Sequence, residues 1–279
     1  MRTALFSLVL SAAFAANAVE WKNVDDAHHL GGRKASSGYL QGKVVLVDRW
    51  GARCPPCRAL LPRVEEIWKS FKTKPLVVLG GHCKGWGTAD EVAELVTEHK
   101  LTYPIYEDAA LAVDEPKFDA IPFLYVVDET GKVVYKGRDE RTATQVIVSA
   151  LTDMESPRNL AQWKRFLDYE LENLPCRGYL RLRDFRKKFP KEAKEYEPKA
   201  KELLAIKDLK KAAELVEFAK KAKDPPVFGP KDKAKREKYQ KLVESMISKS
   251  DLLKTHSDPR VAQEAKNAIA DLKWAQAAF

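Results

Sequence analysis

The sequence predicts an α/β domain, with a central mixed sheet flanked by helices, followed by an all-α domain. Apolar strand-like runs alternate with segments of helical period up to residue 154. From Glu155 onward the strand signals vanish and apolar residues recur only at helical spacing. The excess positive charge also lies entirely in residues 155–279. A length of 279 residues suits two domains of ordinary size, which we place at 19–154 and 155–279.

Composition excludes several classes of protein. A hydrophobic content of 45% is enough to bury a core, so the chain is not globally disordered. With 13 Gly and 15 Pro it is not a collagen-like fibre. Four cysteines are too few for a small disulfide-stapled fold, so any cysteine chemistry must be local.

The amino terminus predicts export. Arg2 precedes an apolar run from Ala4 to Phe14, and Ala16-Asn17-Ala18 places small residues where a signal peptidase cleaves. The run is too short to span a bilayer securely. We therefore expect residues 1–18 to be a signal peptide and the mature protein to reach the periplasm or another exported, disulfide-permitting compartment. An uncleaved membrane anchor is the alternative.

The first domain begins with a strand, a tight turn and a helix. Residues 43–50 are a β-branched apolar run typical of a buried central strand. Residues 58–71 carry apolar side chains at helical spacing, and Pro55 suits the first position of that helix. Pro62 lies inside the helix and should kink it.

The remaining elements of the first domain alternate in type. Thr88 with Glu91 three residues later forms a capping-box pattern for a helix that runs to about His99. Asp128 to Gly131 has the composition of a hairpin turn. The other expected elements are strands at 75–81, 103–106, 123–127 and 132–136, and a helix at 141–151.

The second domain should contain four to six helices packed as antiparallel neighbours. Breaks between them are expected at residues 175–178, 225–230 and 257–259, where Pro and Gly cluster. No repeat of tetratricopeptide length holds its register through several copies.

The sequence Cys54-Pro55-Pro56-Cys57 could bind zinc, form a structural bridge or cycle between dithiol and disulfide. Zinc commonly needs a second ligand pair, and neither the other two cysteines nor the histidines show paired spacing. A structural bridge is unusual at the start of a helix directly after a central strand. The helix dipole there would stabilise a thiolate on Cys54, which favours redox cycling.

Residues 47–58, Val-Asp-Arg-Trp-Gly-Ala-Arg-Cys-Pro-Pro-Cys-Arg, resemble the active-site segment of the thioredoxin family. They are most similar to the exported branch that includes TlpA-like and ResA-like thiol–disulfide oxidoreductases. Pro62 resembles the family's helix-kinking proline, and Ile121-Pro122 resembles its cis-proline. The resemblance covers roughly residues 20–153 and implies a thioredoxin-like fold for them.

The resemblance also implies roles for single residues. Cys54 would be the attacking thiolate and Cys57 the resolving thiol. Asp48 would be a buried acid that exchanges a proton with Cys57, although a strand-end residue bonded to backbone is the alternative. Partner-binding positions would be Trp50, Arg53, Pro55, Pro56, Ile121 and Pro122. Trp50 can equally be plain core packing.

Two residues depart from related patterns. The family usually has an aromatic residue before the first cysteine, where this chain has Arg53. We expect its guanidinium to favour the Cys54 thiolate and to leave less apolar surface for docking. A peroxidase of this fold would have Thr three residues before the reactive cysteine, and here that residue is Gly51.

The sequence therefore predicts an oxidoreductase that needs no metal or organic cofactor. Its partners would be cysteine-containing exported proteins and a second redox partner that resets the pair. The competing class is an interaction protein, in which the helical domain binds clients and the cysteine pair is secondary. Nucleic acid is not an expected partner, since no recognition motif occurs.

Charged residues and spare cysteines leave two questions open. The basic helical domain is either an ordinary solvated surface or a weak docking site for acidic or anionic envelope surfaces. Its densest basic cluster is Arg181, Arg183, Arg186, Lys187 and Lys188. Cys83 and Cys176 are either unrelated or bridged, and we expect Cys176 to be exposed or at the domain junction.

Overall fold

The computed structural model describes residues 19–222 and 233–277. The expected signal peptide and the break at residues 225–230 lie outside the described residues. The chain divides into two compact units, one ending at Pro157 and the other beginning at Arg158.

The first unit is built on a six-stranded mixed sheet with the strand order β2-β5-β4-β3-β7-β8. Strands β1 and β6 form a separate antiparallel pair. The strands are β1 Trp21–Lys22, β2 His29–Gly31, β3 Val44–Trp50, β4 Leu76–His82, β5 Ile105–Glu107, β6 Ala110–Leu111, β7 Phe123–Val127 and β8 Val133–Gly137. The helices are α1 Ser37–Leu40, α2 Pro55–Ser70, α3 Ala89–Glu98 and α4 Glu140–Glu155. The thioredoxin-like α/β architecture predicted from the sequence is confirmed.

Strand β3 is the centre of the sheet. All seven of its residues are buried, because β4 pairs with it in parallel on one side and β7 pairs antiparallel on the other. A continuous β-branched run is what such a doubly covered strand requires. Its carboxyl end therefore delivers the Cys-x-x-Cys segment to the edge of the sheet where β4 also ends.

The helices around the sheet begin where the sequence predicts. Cys54 is the N-cap of α2, Pro55 opens the helix and Pro62 lies inside it. Thr88 caps α3, and both reciprocal hydrogen bonds of the capping box with Glu91 are present. The predicted strands at 43–50, 75–81, 123–127 and 132–136 agree with the structure to within a residue at each end.

The second unit is all-α, as predicted, over its described residues. Its helices are α5 Leu160–Asn173, α6 Pro175–Lys188, α7 Glu197–Ala205, α8 Leu209–Ala222, α9 Lys233–Lys249 and α10 Pro259–Ala277, with 3-10 turns at Glu192–Tyr196 and Asp251–Thr255. One core cluster forms around Phe185 from α5, α6, α7 and α8. A second lies around Val243, where α8, α9 and α10 meet.

The junction at residues 175–178 differs from its prediction. The break is a single residue, Leu174, and Pro175 opens α6, so Cys176 and Gly178 are helical. Cys176 is 0% exposed and belongs to the helical core, so the expectation that it is exposed is wrong. A proline at the first helical position lacks only an N–H that has no helical partner, which lets α6 begin at once.

The basic cluster on α6 is largely neutralised by acidic neighbours. Arg181 is mostly buried and hydrogen-bonds Glu170, and Arg186 pairs with Glu197 at 3.0 Å. Arg183 contacts both Asp184 and Glu217. This arrangement leaves less free positive charge than the sequence alone suggests.

Among the described residues, no helix is both long and apolar enough to cross a membrane.

Candidate redox site

Cys54 and Cys57 are joined by a disulfide at the start of α2, with an S–S distance of 2.07 Å. The two sulfurs are reached from the end of β3 through Gly51, Ala52 and Arg53. Pro55 and Pro56, the residues between the cysteines, are exposed, whereas Cys54 is only 3% exposed and Cys57 1%. The pair is therefore recessed behind an exposed Pro-Pro rim.

The helix start supplies a hydrogen bond to the outer sulfur. The backbone N–H of Cys57 lies 3.3 Å from Sγ of Cys54 and donates toward it. A donor at a helix N-terminus stabilises negative charge, since the first N–H groups of the helix have no helical partner. The local geometry thus favours a thiolate on Cys54 when the pair is reduced.

Asp48 lies in the middle of β3, in register with Gly80 on β4 and Leu124 on β7. It is 1% exposed, and neither carboxylate oxygen has a hydrogen-bond partner among the described residues. Burial raises the pKa of Asp48 to about 7, and the positive charge of Arg49 opposes this only in part. The alternative of a strand-end carboxylate bonded to backbone is not what the structure shows. Asp48 can hold or release a proton near neutral pH.

A loop from the opposite half of the sheet forms another wall of the site. The peptide bond between Ile121 and Pro122 is cis, and the Ile121 carbonyl oxygen lies 3.9 Å from Sγ of Cys54. Pro122 directly precedes β7, whose pairing with β3 fixes the position of this wall. The structure therefore brings the Ile121 carbonyl close to the sulfur, and Pro122 connects it to β7.

Buried polar groups cluster beside Asp48, and sequence reasoning missed two of them. The ring of Trp50 meets that of His82 edge-to-face at 5.2 Å, and Tyr103 packs over Gly80. Within the described residues, the Trp50 indole N–H, both His82 nitrogens and the Tyr103 hydroxyl have no hydrogen-bond partner. Burial lowers the pKa of His82 and raises that of Tyr103. The pairing of β4 with β3 and with β5 brings these side chains together, so no local sequence signal could have indicated them.

Arg53 does not act as a free cation beside the sulfur. Its Nε lies 2.9 Å and 3.1 Å from the two carboxylate oxygens of Glu91 on α3. Hydrogen bonding and charge from Arg53 lower the pKa of Glu91, and Glu91 raises that of Arg53. The expectation that Arg53 favours the Cys54 thiolate is therefore weakened, because a carboxylate already offsets its charge.

The loop after β4 contributes a residue that the sequence analysis overlooked. Trp86 is 48% exposed, and its backbone oxygen accepts a hydrogen bond of 2.9 Å from the N–H of Arg53. A side chain at Gly51 would place its Cβ 2.4 Å from Cβ of Trp86 and 3.1 Å from Cδ1 of Ile121. Gly51 thus allows the Trp86 loop and the Ile121 loop to close on the sulfur-bearing segment from two sides.

The other two cysteines are free and buried. Cys83 lies at the end of β4 in the first unit, and its thiol pKa is raised chiefly by burial. Cys176 lies in the core of the second unit, where burial and Glu264 raise its thiol pKa well above the usual value. The bridged alternative for this pair is therefore wrong in this structure.

Residues 15–136 match the family model described as the AhpC/TSA family. The thioredoxin-like protein YneN of Bacillus subtilis is 29% identical over 104 residues, which are 37% of this chain and 61% of YneN. The N-terminal unit is thus similar to this family and to a thioredoxin-like protein. The thiol-disulfide oxidoreductase ResA of Bacillus cereus is 27% identical to it over 118 residues, which are 42% of this chain and 67% of ResA. The chain thus spans about two thirds or less of the length of these relatives.

A solved thioredoxin-family thiol:disulfide interchange protein from Chlorobium tepidum is 21% identical and covers 44% of this chain and 90% of that chain, with a TM-score of 0.39. The assignment of the thioredoxin-like unit rests on its family match, strand order and cysteine segment rather than on this superposition.

Gly51 argues against the peroxidase alternative for this unit. That alternative expects a threonine hydroxyl three residues before the reactive cysteine. The Cβ of any residue at position 51 would overlap Trp86, so the site has no room for such a group without rebuilding the loop.

Within the described residues there is also no cluster of three or more His, Cys, Asp or Glu side chains that could hold a metal ion.

Proposed function

We propose that this protein is an exported thiol–disulfide oxidoreductase that exchanges disulfides with partner proteins through Cys54 and Cys57. The observation that carries the proposal is the disulfide at the start of α2, with the Cys57 N–H directed at the outer sulfur. The site residues keep the roles that the sequence suggests, except that Arg53 is paired with Glu91.

The first step uses the reduced pair. The Cys54 thiolate attacks one sulfur of a partner disulfide, forming a mixed disulfide, and the other partner sulfur leaves as a thiolate that takes up a proton. The N–H of Cys57 and the dipole of α2 stabilise the thiolate before the attack. The Ile121 carbonyl, 3.9 Å from Cys54 Sγ, marks the wall along which the partner backbone would lie.

The second step releases the partner. Cys57 loses its proton and attacks Sγ of Cys54, which breaks the mixed disulfide and frees the second partner sulfur as a thiolate that is then protonated. Asp48 is the proposed proton acceptor, because a carboxyl with a pKa of about 7 can take up and return a proton near neutral pH. The pair has then given two electrons to the partner disulfide, and a second redox partner must restore them.

We place this reaction in the periplasm or a similar exported compartment, on the basis of the amino-terminal pattern at residues 1–18. The thioredoxin-like unit performs the exchange, and the helical unit is a separate module. A weak contact of that module with anionic envelope surfaces stays a prediction, because the α6 arginines are already ion-paired.

Insulin reduction by the mature protein tests the proposal. Wild-type protein with a chemical reductant should reduce insulin disulfides well above the reductant alone, and Cys54→Ser should fall to that background. Cys176→Ser is the matched control, since it also removes a buried thiol but in the other unit. If wild type and Cys54→Ser are equally inactive, the oxidoreductase proposal fails and the interaction-protein alternative gains support.

A further inference from the structure

Trp86 is an exposed aromatic residue beside the redox pair. Nearly half of its surface, 48%, is accessible, although the neighbouring residues Ala52 and Cys83 are buried. Exposed large aromatic side chains are costly to leave in water and are enriched where proteins bind partners. The thioredoxin-like unit therefore displays an apolar ring at the rim of its site.

The backbone holds this residue in a defined place. The Trp86 N–H donates to the Cys83 carbonyl at 3.1 Å, and the Trp86 carbonyl accepts from the Arg53 N–H at 2.9 Å. Gly87 has φ +139°, and a Cβ there would lie 2.7 Å from Cβ of Ala52. The loop is thus fixed against the segment that carries Cys54, so its exposed ring is a pre-positioned feature.

The neighbours of Trp86 define what it can recognise. Its Cβ and Cγ lie against Gly51, whose other side faces Cδ1 of Ile121. The Ile121 carbonyl in turn faces Sγ of Cys54. The adjacent Arg53 guanidinium is paired with Glu91, so this part of the rim carries little net charge. An apolar group fits here better than a charged one.

We propose that Trp86 is the specificity-determining contact for an apolar side chain next to the reacting cysteine of an extended partner segment. This inference rests on the proposed disulfide exchange, because the occupant must bring a sulfur to Cys54. The partner would lie along the Ile121 wall, with its flanking apolar residue against the indole ring. Trp86 touches the partner and takes no part in the electron transfer itself.

The test uses disulfide-linked dimers of two peptides that are identical except beside the cysteine, Leu-Cys-Phe in one and Ser-Cys-Ser in the other. Reduced wild type, Trp86→Ala and Trp86→Phe are mixed with each peptide dimer and with oxidised glutathione, then quenched in acid and separated by chromatography. Wild type should react faster with the Leu-Cys-Phe dimer. Trp86→Ala should lose at least about tenfold on that dimer, since truncating a tryptophan that anchors a bound partner typically costs that much or more.

Controls keep the result interpretable. Trp86→Ala should lose much less rate with oxidised glutathione than with the Leu-Cys-Phe dimer, which separates loss of the apolar contact from damage to the sulfur chemistry. Trp86→Phe should restore most of the preference. Val134→Ala removes another exposed apolar side chain, 39% accessible, on β8 near the opposite end of the sheet, and should change nothing.

The outcomes separate the two proposals. If wild type exchanges with the peptide dimers and Trp86→Ala keeps the same preference for the Leu-Cys-Phe dimer, the role of Trp86 is overturned. The oxidoreductase proposal then still stands. A wild type that prefers the Ser-Cys-Ser dimer also overturns the role of Trp86. A wild type that exchanges with neither peptide nor with glutathione overturns the proposed function, and the role of Trp86 falls with it.

Discussion

Two helix starts in this protein combine a cysteine, a proline and a buried acid, yet they differ in chemistry. In the thioredoxin-like unit, Cys54 caps α2 before Pro55, and its sulfur accepts the N–H of Cys57. In the helical unit, Cys176 follows Pro175 in the first turn of α6. There the carboxylate of Glu264 accepts the N–H groups of Cys176 and Arg177 at 2.7 Å and 3.0 Å.

The difference shows that the free N–H groups at a helix start bind whichever acceptor lies there. At α6 the acceptor is Glu264, which also hydrogen-bonds the Cys176 thiol. Burial and, after it, Glu264 raise the pKa of this thiol, so the cysteine is kept protonated. At α2 no carboxylate among the described residues accepts the Cys57 N–H, and Sγ of Cys54 is the acceptor instead. Sequence position at a helix start therefore does not by itself make a cysteine reactive.

The buried acids differ in the same way. Burial raises the pKa of both Asp48 and Glu264 to about 7. Glu264 is held by two backbone donors, whereas Asp48 has no partner among the described residues. A carboxyl without a fixed partner is free to exchange its proton, and a carboxyl that completes a helix start is structural.

The largest expected effect concerns the reactivity of the cysteines at the two helix starts, Cys54 and Cys57 at α2 and Cys176 at α6. In reduced protein at neutral pH, iodoacetamide should alkylate Cys54 before Cys57, and Cys176 at least about a hundredfold more slowly, because its thiol is buried and protonated. A time course with mass spectrometry of the peptides measures all three rates. Equal labelling of Cys54 and Cys176, or faster labelling of Cys57, would contradict the comparison.

Asp48→Asn should stabilise the fold while slowing the exchange. Unfolded Asp48 loses its proton near pH 3.8, but the folded protein retains it to about pH 7. Wild-type stability therefore falls as pH rises between these values, by at most about 4 kcal/mol from this group. The variant should match wild type near pH 4 and gain up to that amount above pH 7.

Urea unfolding at several pH values measures the gain from Asp48→Asn, and release of the mixed disulfide in stopped flow measures the loss of rate. A stability difference that does not grow with pH would show that Asp48 is not held protonated in the fold. An unchanged release rate across neutral and mildly alkaline pH would remove its proposed role.

Glu264→Ala should act in the opposite direction on stability. It leaves two N–H groups at the start of α6 without their acceptor and opens a cavity, which costs about 2 kcal/mol at pH 5. The deficit should shrink as pH rises through 7, because wild type itself loses the stability of the protonated acid. Urea unfolding checks the sign, and insulin reduction by the folded variant should stay at the wild-type rate. A variant more stable than wild type at pH 5 would show that Glu264 is not a helix cap.

The smallest expected effect is at Arg53. Because Glu91 already pairs with its guanidinium, Arg53→Gln should change the iodoacetamide rate of Cys54 by less than about twofold. Glu91→Gln removes the pairing carboxylate and should increase the rate instead. A large drop in Arg53→Gln would restore the expectation that this residue favours the thiolate.

Sequence reasoning succeeded where local signals are strong. The β-branched run of β3 and the Thr88–Glu91 capping box depend on neighbouring residues, and both elements are where they were predicted. Strands β1, β2 and β6 were missed, because two or three residues carry no periodicity and their pairing partners are distant in sequence.

The candidate site was predictable only along one stretch of chain. Cys54, Cys57 and Asp48 lie within ten residues and follow a recognisable pattern. Trp86, His82 and Tyr103 come from other elements, and only the pairing of β4 with β3 and β5 brings them to it. The place of Cys176 was misjudged because flanking Pro and Gly suggested a turn, while the structure uses Pro175 to begin a helix.

The Ile121 wall is far in sequence from the cysteines that it faces. Cys54 and Ile121 meet across 67 positions of sequence, and β3 and β7 must pair before they do. The start of α2 depends on neighbouring residues, whereas the Ile121 wall depends on the distant pairing of β3 with β7. Closing so long a loop is slow compared with forming α2. A chain cut short before residue 121 would therefore keep both cysteines and the start of α2 but lack the Ile121 wall beside Cys54.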